Sequence, residues 1–128
     1  MEAYEGETIP TLEEVLNLLK PGKMEVNIEL KTGIFWYPEI EEKTMEIVKK
    51  TGMEDRVIYS SFNHYSIQEV RRLNPEAETA YLYGDVILDV EKYAAGTGVQ
   101  GLHPALYHLY MSDFLKRWKE SGLKVRVW

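Results

Sequence analysis

The sequence predicts an α/β fold: a (β/α) barrel of the TIM type, present as an incomplete barrel of about five βα units. Three observations carry this. Helix signals alternate with strand signals along the chain. Successive strand starts fall roughly 20 to 30 residues apart, the length of one βα unit. The first strand also alternates in polarity, whereas a central strand covered by helices on both faces reads apolar throughout.

The elements follow in order. Thr11-Leu12-Glu13-Glu14 is a capping box, in which the Thr11 side chain accepts from an amide of the first turn and Glu14 reaches back. Leu12, Val15, Leu16 and Leu19 then form an apolar helical stripe that Pro21-Gly22 ends. From Met24 to Leu30 the chain alternates: Met24, Val26, Ile28 and Leu30 point one way, and Glu25, Asn27, Glu29 and Lys31 the other. A Glu- and Lys-rich helix runs from about Pro38 to Lys50, with Gly52 as its terminating glycine. Val57 to Phe62 reads as a strand, and Ser66-Ile67-Gln68-Glu69 as a second capping box opening a helix to about Leu73. Thr79 to Tyr83 is a strand, Val86 to Ala94 a short helix and Val99 to Leu102 a brief strand. Met111 to Ser121 is a helix with Phe114, Leu115 and Trp118 inward, and Val125 to Trp128 a last strand.

Five strands separated by helices must be parallel. They suit either an open doubly wound sheet or part of a barrel, and the alternation of Met24 to Leu30 selects the barrel. Its outward residues meet helices, and its inward residues reach the mouth at the strand's C-terminal end.

The composition, 45% hydrophobic and 28% charged over 128 residues, is that of one globular domain spanning residues 1–128, long enough to bury a core without disulfide or metal. Lys and Arg are scattered among acids and the net charge is −6, so no nucleic-acid partner is expected. No apolar run approaches the roughly 20 residues of a membrane span. The start, Met1-Glu2-Ala3-Tyr4-Glu5, is unlike a secretory leader. A cysteine-free chain fits a cytosolic or thermophilic protein; the compartment stays unassigned, with the cytoplasm favoured.

Glu29 and Lys31 carry the chemistry most directly. Two residues apart on a strand, they share the inner face at its C-terminal end. A carboxylate there can ligate a hard divalent cation, and an ammonium can neutralise a phosphate oxygen. Spacing alone describes equally well, or better, an inward ion pair that only fills the barrel. His103, before Pro104 at another strand end, is a candidate for a substrate pocket, and Ser61 for a substrate contact. His64 reads as a loop or cap neighbour, and His108, among Tyr107 and Tyr110, as surface or packing. Trp36 and Tyr37 lie in the loop after the Glu29 strand, as substrate contacts or as a plug for the core.

Several runs occur in one order: Ile9-Pro10-Thr11-Leu12-Glu13-Glu14-Val15-Leu16, Asn27-Ile28-Glu29-Leu30-Lys31, Ser60-Ser61-Phe62, Gly101-Leu102-His103-Pro104 and Val125-Arg126-Val127-Trp128. Together they resemble the glycerophosphodiester phosphodiesterases over nearly the whole chain. The resemblance implies metal-assisted hydrolysis of a glycerophosphodiester to an alcohol and glycerol 3-phosphate. It implies Ca²⁺ or Mg²⁺ held by Glu29 with two carboxylates from upstream segments, and Lys31 as the catalytic candidate facing the phosphate. It also implies Trp128 lining the glycerol pocket. The family's His-Arg-Gly and His-Asp histidines have no counterpart among His64, His103 and His108, so these residues correspond to a central-to-C-terminal portion of the barrel and are expected to be inactive alone. Another outcome is a non-catalytic partial barrel that pairs with a second copy through its open sheet edges, a homodimer closing the barrel.

Overall fold

The computed structural model describes residues 5–111 and 113–128; the polar start at residues 1–4 lies outside the described residues. Among these, five parallel strands form one sheet in the order β1-β2-β3-β4-β5. They are β1 (Val26–Glu29), β2 (Val57–Ser61), β3 (Glu78–Tyr83), β4 (Gly101–Pro104) and β5 (Lys124–Val125). The helices are α1 (Leu12–Leu19), α2 (Ile40–Thr51), α3 (His64–Leu73), α4 (Val90–Thr97) and α5 (Phe114–Glu120). A doubly wound sheet reverses its strand order at a switch point. Here every strand lies beside its successor, which is how a barrel is built, and the chain forms an incomplete one.

The outward faces of the strands supply the core. Val26, Ile28 and Leu30 of the β1 segment, Val57 and Tyr59 of β2, Tyr81 and Tyr83 of β3 and Leu102 of β4 pack against helix residues including Leu16, Val48, Ile67 and Trp118. Met24 departs from expectation: it precedes the paired part of β1 and is 59% exposed. The inward face has a row Glu29, Ser60, Ala80, Gly101, Lys124 in register across the sheet. Its middle is made of small residues, which lets Arg126 lie over β4 and meet Glu78 of β3 at 2.7 Å. A Cβ on Gly101 would stand 3.0 Å from the Ala80 Cβ and 3.3 Å from the Lys124 carbonyl oxygen, so a larger residue there would press on both neighbouring strands.

Local signals set most boundaries. The Thr11 capping box is present in both directions, and Gly52 ends α2 with a φ of 68°. Three helix starts differ from expectation, and β4 lies at Gly101–Pro104 rather than Val99–Leu102. The cap of α3 is Asn63, whose side chain accepts from the Tyr65 amide; Ser66 is instead buried within the helix and bonded to the Thr32 hydroxyl. Helix α4 begins at Val90 because Val86, Ile87 and Leu88 stay in an exposed loop, turned at Asp89 by a φ of 51°. A 3₁₀ turn over Leu106–Tyr110 takes the residues before α5, and Leu115 is exposed while Phe114 and Trp118 face the core. Beyond Val125 the ladder continues, with the amides of Arg126 and Trp128 donating to Leu102 and Pro104.

Candidate functional site

At the C-terminal ends of the strands, Asn27, Glu29, Lys31, Phe62, Leu82, His103, Arg126, Val127 and Trp128 line a cleft of about 470 Å³. Four of the five residues singled out from sequence therefore share one concavity. Glu29 and Lys31 point to the same side of β1, as alternation requires, and form an ion pair at 2.9 Å with the lysine side chain largely in water.

His103 comes up on the inner face of β4. It is buried, and its Nε2 has no hydrogen-bond partner. A buried nitrogen left unpaired is costly. Burial, reinforced by the Arg126 guanidinium, pushes its pKa down to about 4, so the imidazole is neutral at pH 7. The folded value then lies below the unfolded value of about 6.5. Between the two, the unfolded chain binds more protons, and stability is lost as pH falls from about 6.5 to about 4. At about 1.4 kcal/mol per pH unit the loss is of order 2–3 kcal/mol. His103→Asn is expected to flatten that part of a urea-midpoint profile. Identical slopes in the two proteins would mean that other groups set the acid limb.

Trp128 is fixed at both ends of its ring system. The indole N–H donates to the His103 carbonyl at 3.1 Å, and the ring meets Phe62 edge-on at 5.5 Å between centroids. The two rings wall the cleft across Leu82 and His103. Phe62 and Arg126 belong to this site although sequence reasoning assigned them no role. Their signal was alternation: Ile58, Ser60 and Phe62 share a face of the β2 segment, as Arg126 and Trp128 share one after β5.

Ser61 does not line the cleft. It is fully buried on the other side of the strand, where its hydroxyl donates to the Leu30 carbonyl and accepts from the Asn63 amide. It thereby ties the end of β1 to the start of α3. His64 is also structural: Nε2 donates to the Leu82 carbonyl, leaving Nδ1 to accept from the Tyr93 hydroxyl, and its ring stacks on Tyr81 at 3.9 Å. His108 is a buried packing residue between the carbonyls of Ala105 and Asp85.

The cleft's oxygen donors for a hard cation are the Glu29 carboxylate, already engaged by Lys31, and the Asn27 amide. Among the described residues no three His, Asp or Glu side chains gather as a metal site. Mg²⁺ and Ca²⁺ take six or more oxygen ligands, so these residues by themselves do not fit a divalent cation.

A consecutively ordered parallel sheet with a charged and aromatic cleft at its strand ends defines the active-face side of a (β/α) barrel. The chain belongs to the glycerophosphoryl diester phosphodiesterase family, whose model matches residues 1–128. A glycerophosphodiester phosphodiesterase from Caldanaerobacter subterraneus subsp. tengcongensis is 37% identical over 127 residues, 99% of this chain and 52% of that protein. A Parabacteroides distasonis glycerophosphodiester phosphodiesterase superposes with a TM-score of 0.78 at 28% identity, covering 96% of this chain and 52% of that one. An Oleispira antarctica phosphodiesterase, solved in complex with the product sn-glycerol-3-phosphate, gives 0.80 at 26% identity, over 99% and 51%. The chain thus spans about half the length of these relatives.

Proposed function

We propose that these residues form one side of the active site of a glycerophosphodiester phosphodiesterase, which adds water across a phosphodiester to release an alcohol and glycerol 3-phosphate. One observation carries this reading: Glu29 and Lys31 at the end of β1, His103 of β4 and Trp128 after β5 line a single cleft. Lys31 neutralises a phosphate oxygen. Neutral His103 lines the glycerol side of the cleft and its carbonyl holds the Trp128 indole, and the Trp128 and Phe62 rings pack against the glycerol carbons. Glu29 holds the Lys31 ammonium and contributes one carboxylate to a divalent cation, Ca²⁺ or Mg²⁺, whose other ligands come from outside these 128 residues. The general acid and base also lie outside them. Family membership and the sn-glycerol-3-phosphate held by the Oleispira relative support the substrate class.

The test compares the 128-residue chain alone with the same residues joined to the unmatched portion of the Caldanaerobacter relative. Release of glycerol 3-phosphate from glycerophosphocholine is expected from the joined protein, with the isolated chain at background. Activity of the isolated chain far above background, or a cooperatively folded joined protein without activity, contradicts the proposal. A second reading rests on β1 and β5, which among the described residues have sheet partners on one side only: a non-catalytic partial barrel closed by a second copy. Sedimentation of the two samples separates the readings. The joined protein should be monomeric, and a dimer of isolated chains beside an inactive joined protein would favour the second.

A further inference from the structure

The cleft beside Trp128 has a neighbour. Glu29, Lys31 and Phe62 also line a groove of about 510 Å³, whose remaining wall is Gly33, Ile34, Phe35 and Tyr37 of the loop after β1. The two depressions share Glu29, Lys31 and Phe62 in their walls. Resting on the diesterase reading above, we propose that this groove is the subsite for the leaving alcohol, and that the alcohol it selects is an uncharged hydrocarbon chain.

The geometry comes first. A phosphodiester has two arms on one phosphorus. With the phosphorus at Lys31 and the glycerol arm towards His103 and Trp128, the adjoining groove, walled by Ile34, Phe35 and Tyr37, is open to the second arm. Charge then chooses among alcohols. Aromatic rings such as Phe35, Tyr37 and Phe62 can embrace a quaternary ammonium, but a cation also needs surplus negative charge nearby. The charged side chains that these 128 residues bring to the groove are Glu29 and Lys31, which pair at 2.9 Å, and a divalent cation at Glu29 would add positive charge, not negative. The lysine, 79% exposed, meets an incoming ammonium with like charge. What remains is apolar surface: Ile34 is 90% exposed and Phe35 65%. Covering it with a hydrocarbon chain is favourable by about fourfold in affinity per buried methylene.

The joined protein is assayed on a series of glycerophosphodiesters carrying ethanol, butanol and hexanol, with glycerophosphocholine as the cationic comparison. We expect kcat/KM to rise two- to fourfold per methylene from ethyl to hexyl, and the hexyl diester to exceed glycerophosphocholine at least tenfold. Phe35→Ser should flatten the series and lower the hexyl value about tenfold, with the thermal midpoint recorded as a folding control. A flat series, or a preference for the choline diester, overturns the groove assignment while leaving the diesterase reading standing. An unchanged series in a Phe35→Ser protein with a lowered midpoint also overturns it, because the loop would then be covered by the rest of the barrel. A folded joined protein that cleaves none of the four diesters overturns both readings.

Discussion

Lys31→Met in the joined protein is expected to lower kcat/KM for diester hydrolysis by about 100- to 1000-fold, the usual consequence of removing one donor aimed at a developing oxyanion. Stability should hardly change. The Lys31 side chain is 79% exposed and its ion pair is with Glu29; exposed pairs of this kind contribute about 0.2–1 kcal/mol. Methionine keeps the length and the apolar stem, so the lost activity would be the lost charge. Lys31→Arg should recover part of it, because the positive charge returns in a different shape. A fall of less than tenfold in the methionine variant would reduce Lys31 to an ion-pair partner that fills the barrel mouth.

The second large effect concerns folding. Trp118→Ala should cost about 3–5 kcal/mol, the range for emptying a buried large aromatic site. Trp118 is 2% exposed and stands against Tyr83, His108 and Phe114, with ring centroids 6.2, 6.1 and 5.5 Å away. Set against the 5–15 kcal/mol by which domains are ordinarily stable, this removes a large share of the fold's margin. Leu115 lies on the same helix but is 41% exposed, so Leu115→Ala should shift the urea midpoint far less. Equal shifts for the two variants would mean that α5 does not pack on the sheet through Trp118.

Where the signal was periodic or chemical, the sequence was legible. The alternation around β1 separated Val26 and Ile28, which reach the core, from Asn27 and Glu29, which line the cleft. Thr11 and Gly52 marked helix ends because each satisfies backbone groups that a helix leaves orphaned. The misreadings arose where two local solutions compete. Ser66 and Asn63 are both good caps; Asn63 prevails because its amide is already held by Ser61 and its side chain reaches the Thr32 carbonyl. Val86, Ile87 and Leu88 look like the start of an apolar helical face, yet they remain in a loop whose side chains are exposed, and periodicity cannot tell a buried stripe from an uncovered one. In the site, Ser61 and Phe62 are neighbours whose side chains leave opposite faces of the sheet. Phe62 lines the cleft and Ser61 does not, a distinction that needs the register of β2.

Binding of glycerol 3-phosphate to the joined protein, followed by two-dimensional NMR, reads the proposed mouth residue by residue. The Trp128 indole N–H, now donated to the His103 carbonyl, should shift together with signals of Lys31, Phe62 and His103, and none of these should move in response to glycerol alone at the same concentration. If glycerol 3-phosphate binds while those four stay still, and the shifts fall instead on the groove between α2 and α3 around Met45, Lys49 and Leu73, then the cleft at the strand ends is not where this barrel meets its product.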